Sequence, residues 1–256
     1  MTDSTGVLYI ASGAKYIRAA MQSAKSVRRF CPGLATHLFA DWDRHGFDFA
    51  ASPGPFTSVG LIDDPHYRSK VDYLARTPFE RTLYLDTDTL LTADIREMFQ
   101  VLDRFDIALS HAHLRNTPVR TATWRVALPP AFPQFNGGVI LFAAKPAVLA
   151  FLEQWRRSFR EAGFREDQVT LRELLWLSDL RIATLPPEYN TRFYKYHVMW
   201  RKEEARARIF HLRRLHEGRL WFVRKWARSC GRSLVRAGID PRKWPIVGSL
   251  ARKGQP

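Results

Sequence analysis

Cysteine is nearly absent: two residues in 256 allow one disulfide at most, which excludes a disulfide-held scaffold and makes a reducing compartment the simpler expectation. No uncharged apolar run is long enough to span a bilayer. Asp3, Lys15, Arg18 and Lys25 interrupt the apolar residues near the start, which predicts no signal peptide and a cytoplasmic protein. Acids are scarce beside bases, 25 Asp+Glu against 40 Lys+Arg, for a formal charge of +15. Apolar residues are plentiful. At 46% hydrophobic and 13% aromatic, the chain can bury a sizeable core, which argues against disorder and suits one large domain with an extension.

The basic excess is concentrated at one end. Residues 1–200 hold 24 Lys+Arg and 21 Asp+Glu, whereas 201–256 hold 16 and 4. This shift predicts a folded domain over 1–217 and a basic tail over 218–256. Between Gly218 and Ala237, Leu220, Phe222, Val223, Trp226, Ala227, Cys230 and Leu234 share one helical arc, while Arg224, Lys225, Arg228, Arg232 and Arg236 cluster opposite. A basic amphipathic helix with aromatic anchors suits an anionic bilayer surface, each cation adding about 1 kcal/mol. Docking of its apolar arc onto the folded domain is the alternative. A nucleic-acid groove would interleave aromatics with cations, so no nucleic acid is expected and peripheral attachment to the inner face of a membrane is.

Along 1–217, strands and helices alternate. Val7–Ala11 reads as a strand ending in Ser12-Gly13, followed by a helix over Lys15–Arg29 with Ile17, Ala20, Met21, Ala24 and Val27 on one side. Further strands are predicted at 36–40, 59–62, 82–85, 107–110, 139–142, 181–184 and 208–211, and helices at 67–76, 94–105, 147–160 and 166–177. Pro118–Gln134 is irregular. The alternation predicts an α/β fold with a mostly parallel sheet.

The sharpest motif is Asp86-Thr87-Asp88, after the buried strand Leu83-Tyr84-Leu85. Two carboxylates at i and i+2 on the carboxyl end of a sheet strand sit where open α/β sheets bind ligands, and they suit Mg²⁺ or Mn²⁺. Alone, Asp-x-Asp is equally well read as a polar turn. Further blocks accompany it: Tyr9-Ile10-Ala11-Ser12-Gly13-Ala14-Lys15-Tyr16, Ser69-Lys70-Val71-Asp72-Tyr73, Phe135-Asn136-Gly137-Gly138-Val139, Glu166-Asp167-Gln168, Leu185-Pro186-Pro187-Glu188-Tyr189-Asn190 and Ile209-Phe210-His211.

In that order these blocks resemble glycosyltransferase family 8, over about residues 7–212. The resemblance implies a GT-A, Rossmann-like mixed sheet flanked by helices, and a retaining transfer of a hexose from a nucleotide diphosphate sugar, UDP-linked, to a glycan or glycolipid hydroxyl. It implies a metal held by Asp86, Asp88 and His211. It places Ala11, Ser12, Tyr16, Lys70, Asp86, Thr87, Asn136, Gly137 and Gly138 around the donor, with Tyr16 stacked on the base. It also implies that Asp167 binds sugar hydroxyls and that Gln168 lies near the anomeric carbon. Family members carry a diphosphate-gripping lysine after the histidine; here Arg213, Arg214 and Arg219 are the cations of that run.

The residues support this chemistry on their own terms. Breaking an anomeric C–O bond to a diphosphate requires charge stabilisation at the departing oxygen, which two acids, a metal and an imidazole nitrogen can supply. Asn136-Gly137-Gly138 before a buried strand fits a turn with positive φ and close backbone approach to a ligand. His111-Ala112-His113 reads as a solvated loop, with a border of the acceptor pocket as the alternative. Two other functions compete. A nucleotidyltransferase or sugar-phosphate pyrophosphorylase would carry a Gly-rich phosphate loop, for which Ser12-Gly13-Ala14 is thin, and a basic nucleic-acid-binding protein would bind DNA or RNA with steep salt dependence and without metal.

Overall fold

The computed structural model describes residues 4–115, 117–201 and 203–212. Apolar runs with β-formers give strands, and stretches of helical period between them cross back over the sheet. The order is β1 (Thr5–Ala11), α1 (Ala14–Phe30), β2 (Ala35–Ala40), β3 (Ser58–Leu61), α2 (Lys70–Tyr73), β4 (Arg81–Leu85), β5 (Thr89–Leu91), β6 (Ile107–His111), α3 (Pro118–Thr121), β7 (Phe135–Ala143), α4 (Pro146–Ala162), α5 (Gln168–Leu177), β8 (Ile182–Thr184), α6 (Tyr194–Met199) and β9 (Ile209–His211). Short 3₁₀ segments occupy Trp42–His45, Leu74–Arg76, Arg96–Asp103 and Pro187–Tyr189.

Seven strands form one sheet in the order β3-β2-β1-β4-β7-β6-β8. β7 runs antiparallel to both neighbours, β4 and β6, and the other pairings are parallel. The sheet is therefore mixed and mostly parallel, as expected. Period-2 alternation sends Val7, Tyr9 and Ala11 of β1 into a core shared with Ile17, Ala20, Ala24 and Val27 of α1, and sends Leu8 and Ile10 to the opposite face. There they meet Phe151, Leu152 and Trp155 of α4 and Leu171 and Leu174 of α5. Trp155 is fully buried and donates its indole N–H to the Asp167 carbonyl (3.1 Å), which ties the start of α5 to α4.

Several expected elements differ. The helix predicted over 67–76 shrinks to α2 and a 3₁₀ turn, because Ser69 closes a local loop by accepting the His66 N–H (2.8 Å) and donating to the His66 carbonyl (2.7 Å). Within the segment 94–105, Arg96–Asp103 is 3₁₀ rather than α. Asn136-Gly137-Gly138 is no positive-φ turn: all three residues are buried within β7, and neither glycine has a left-handed backbone. β5, α6 and α3, which lies in the stretch expected to be irregular, were not expected from sequence. The tail over 218–256, and with it the predicted domain boundary at 217/218, lies outside the described residues.

Candidate active site

Because β7 runs against β4, the end of one strand meets the start of the other. The Asp86 N–H donates to the Gly138 carbonyl (2.8 Å), so the residues leaving β4 face those entering β7. After Asp88 the chain resumes as β5, which pairs antiparallel with β9 in the register Thr89↔His211. This two-stranded sheet carries His211 to the acidic motif. Its Nε2 lies 3.0 Å from Asp88 Oδ1 and 3.4 Å from Asp86 Oδ2, and the three potential ligand atoms fall within 4.8 Å of one another.

The supporting contacts select the imidazole nitrogen. Asn190 Nδ2 donates to Asn136 Oδ1 (3.0 Å), which also accepts the Gly138 N–H (3.0 Å). Asn190 Oδ1 is thereby left to accept from His211 Nδ1–H (2.8 Å), and Nε2 is presented to the carboxylates. Gly138 makes the convergence possible: a Cβ there would lie 2.0 Å from His211 Cε1 and 2.5 Å from Asp86 Oδ2. Two carboxylates and one oriented imidazole, closing over a glycine, fit a divalent cation.

The electrostatics agree with that fit. Burial alone would raise Asp86, yet Lys70, His211 and the Tyr84 hydroxyl, which donates to it at 2.6 Å, hold it well below the ordinary carboxylate range. Burial would lower Lys70, but Asp167 and Asp86 outweigh it and keep the ammonium charged. Its Nζ lies 2.8 Å from Asp167 Oδ2 and 3.8 Å from Asp86 Oδ1, and donates to the Gly137 carbonyl (2.9 Å). Burial also opposes charge on His211, and Asp88 with Asp86 overrides it, so the His211 pKa is raised. A proton on His211 would compete with a cation held by the same three residues.

These groups open on a cleft of about 350 Å³ at the carboxyl ends of the parallel strands. Of the residues expected around the donor, Ser12, Tyr16, Lys70, Asp86, Thr87, Asn136 and Gln168 line it, together with Asp88 and His211. Ser12-Gly13 is held from the residue after β2, Asp41, which accepts the Gly13 N–H at 2.8 Å and the Ser12 hydroxyl at 3.4 Å. Four expected residues do not line the cleft. Ala11 packs in the core, Gly137 and Gly138 lie within β7, and Asp167 is fully buried against Lys70 and Arg68. The structure places Asp167, expected at the sugar hydroxyls, in ion pairs with the cations of the cleft wall.

Sequence reasoning missed His66, Tyr67, Arg68 and Arg192, which also line the cleft. They sit in connections between elements, and no spacing rule on a single sequence announces that such segments converge. A second cavity of about 400 Å³ lies by the end of β6, lined by His111, His113, Arg115, Tyr196 and Trp200 among others. The expected solvated loop is in part a cavity wall: burial, with Arg192 and His211 nearby, lowers the His113 pKa to about 4. Arg213, Arg214 and Arg219 lie outside the described residues.

A mostly parallel Rossmann-like sheet with its acids and a distant histidine gathered where the strand direction reverses defines a GT-A enzyme fold. The chain belongs to the nucleotide-diphospho-sugar transferase family, whose model matches residues 81–218. Solved structures share the fold. Mouse xyloside xylosyltransferase 1 in its apo form aligns with a TM-score of 0.55 and 17% identity over 81% of this chain and 97% of that one. The galactosyltransferase LgtC, solved with donor and acceptor sugar analogues, gives 0.56 and 14% over 82% and 87%. The glycosyltransferase GlyE of Streptococcus pneumoniae TIGR4 gives 0.50 and 18% over 81% and 54%. A search of curated proteins finds no match.

Proposed function

We propose that this chain is a retaining, metal-dependent glycosyltransferase of the family 8 type that transfers a hexose from a UDP-linked sugar to a hydroxyl of a glycan or glycolipid. The observation that carries this reading is the Asp86–Asp88–His211 trio at the edge of a cleft large enough for part of a nucleotide sugar. Bound by these three residues, Mn²⁺ or Mg²⁺ supplies positive charge to the diphosphate leaving group. Tyr16 stacks on the base, and Ala11 and Ser12 contribute through the strand end that carries them. Asn136 faces the sugar with its amide. Gln168 stands by the anomeric carbon, while Asp167 acts through Lys70 by fixing the ammonium at the cleft wall. Gly137 and Gly138 permit the close approach of these side chains.

The bond from the anomeric carbon to the β-phosphate oxygen breaks with its electron pair retained by that oxygen. The acceptor oxygen bonds the same carbon, and its proton passes to the leaving phosphate on the same face. The cavity around His113 and Tyr196 adjoins the end of β6 and offers aromatic surface for an acceptor sugar. Residues 218–256 form the attachment to an anionic membrane that holds a lipid-linked acceptor. Screening a panel of nucleotide sugars for Mn²⁺-dependent hydrolysis and transfer tests the reading. Asp88→Ala abolishes both activities, and a variant with full activity refutes the assigned metal site.

A further inference from the structure

Among the described residues three Lys and Arg side chains line the cleft, and two of them are already matched. Lys70 is buried between Asp167 and the Gly137 carbonyl, and Arg68 pairs with Glu166 (2.9 Å) and Asp167 (3.5 Å). Arg192 differs. Its backbone is fixed beside β9, because Thr191 donates its N–H to the Ile209 carbonyl (2.9 Å) and bridges Phe210. Its side chain reaches the cleft and is 21% exposed. Among the described residues its one ion pair is with Asp88 Oδ2 at 4.0 Å, beyond hydrogen-bond reach, while the other oxygen of Asp88 faces His211.

The carboxylates of Asp86, Asp88, Glu166 and Asp167 offset these cations and His211, so without a metal the cleft carries no surplus positive charge for an anion. A divalent ion held by Asp86 and Asp88 would supply that surplus and draw on the charge of Asp88, the partner of Arg192. We propose that Arg192 then binds the diphosphate of the donor, its planar guanidinium forking onto phosphate oxygens while Lys70 and Arg68 stay paired with their carboxylates. The inference rests on the nucleotide-sugar reading of the same cleft. It gives Arg192 the role of the cation that faces the negative charge collecting on the leaving group, a task for which bidentate arginine geometry is suited.

Calorimetry on the full chain with saturating Mn²⁺ tests this. The tightest binder among UDP, GDP and dTDP is compared with its monophosphate on wild type, Arg192→Ala and Arg192→Lys, with circular dichroism melts and Mn²⁺ titrations as controls. Arg192→Ala weakens the diphosphate about tenfold or more and the monophosphate by less than about twofold, and Arg192→Lys falls between, since it keeps the charge and loses the fork. Mn²⁺ affinity of Arg192→Ala equals or exceeds wild type. Equal losses for both nucleotides, or a loss of Mn²⁺ binding or of fold, would overturn the role, as would an unchanged diphosphate affinity. If the wild type binds no nucleoside diphosphate, the nucleotide-sugar reading itself fails; if it binds and Arg192→Ala binds equally, only the inference about Arg192 fails.

Discussion

Gly138 has no room for a side chain. Its absent Cβ would overlap the His211 ring and an Asp86 oxygen, neither of which can retreat without leaving the trio. At Gly137 the nearest atoms would be Lys70 Nζ at 3.2 Å and Asp167 Oδ2 at 3.3 Å, and the lysine end is flexible enough to give. Gly138→Ala should therefore cost about 1–3 kcal/mol in thermal unfolding and lower Mn²⁺ affinity tenfold or more, while Gly137→Ala leaves metal affinity near wild type. Equal effects in the two variants would refute this account of the pair. A second residue-scale expectation concerns protons. The His211 pKa is raised above its ordinary 6.5 by Asp88 and Asp86 against the opposing effect of burial. Without metal, the stabilisation from this ion pair is fully present below pH 6.5 and is lost as pH rises through the folded pKa. Because the same proton competes with the cation, Mn²⁺ affinity rises with pH through that range and levels above it, with proton release visible in buffers of different ionisation enthalpy. A flat profile would mean that His211 does not ligate.

Three elements that are far apart in the chain meet through one amide. Asn190, leaving the 3₁₀ turn at Pro187–Tyr189, bonds Asn136 in β7 and His211 in β9, so it sets both the ring orientation and the spacing between the two strands. Asn190→Ala should weaken Mn²⁺ binding by about 10- to 100-fold with helix and sheet content unchanged, as removal of an orienting partner does at metal sites. An unchanged dissociation constant would show that the ring is held by packing alone. At this scale much was legible in the sequence. The strand ending at Leu85, the acids after it and the helix that buries Ile17 and Val27 follow from local apolar period and length. β5 was not legible, because three residues carry no period. Nor was the true reason for Asn136-Gly137-Gly138: a glycine pair in a sequence looks like a turn, and the atoms that exclude a Cβ belong to residues 86 and 211.

For the molecule as a whole, the +15 charge divides between a folded region that is nearly balanced and a strongly basic end. Within the fold the acids and bases that matter are paired across the cleft, and none of the helices among the described residues is long and apolar enough to cross a membrane. If the basic end attaches the enzyme to an anionic surface, deletion of 218–256 abolishes co-sedimentation with phosphatidylserine-containing liposomes while Mn²⁺-dependent donor hydrolysis persists; unchanged partitioning would sink the attachment. By itself the sequence determined the α/β class and the two acids after β4, because these depend on local period, strand ends and residue chemistry, while His211 and Asn136 stood out through the order of blocks that resembles family 8. Only the tertiary structure decided that β7 runs backwards beside β4, that β5 and β9 bring His211 to Asp88, and that Asp167 is buried while Arg192 faces the cleft. The physical reason is that pairing direction and loop convergence are set by the packing of the whole sheet, whose contacts join residues that no local window contains.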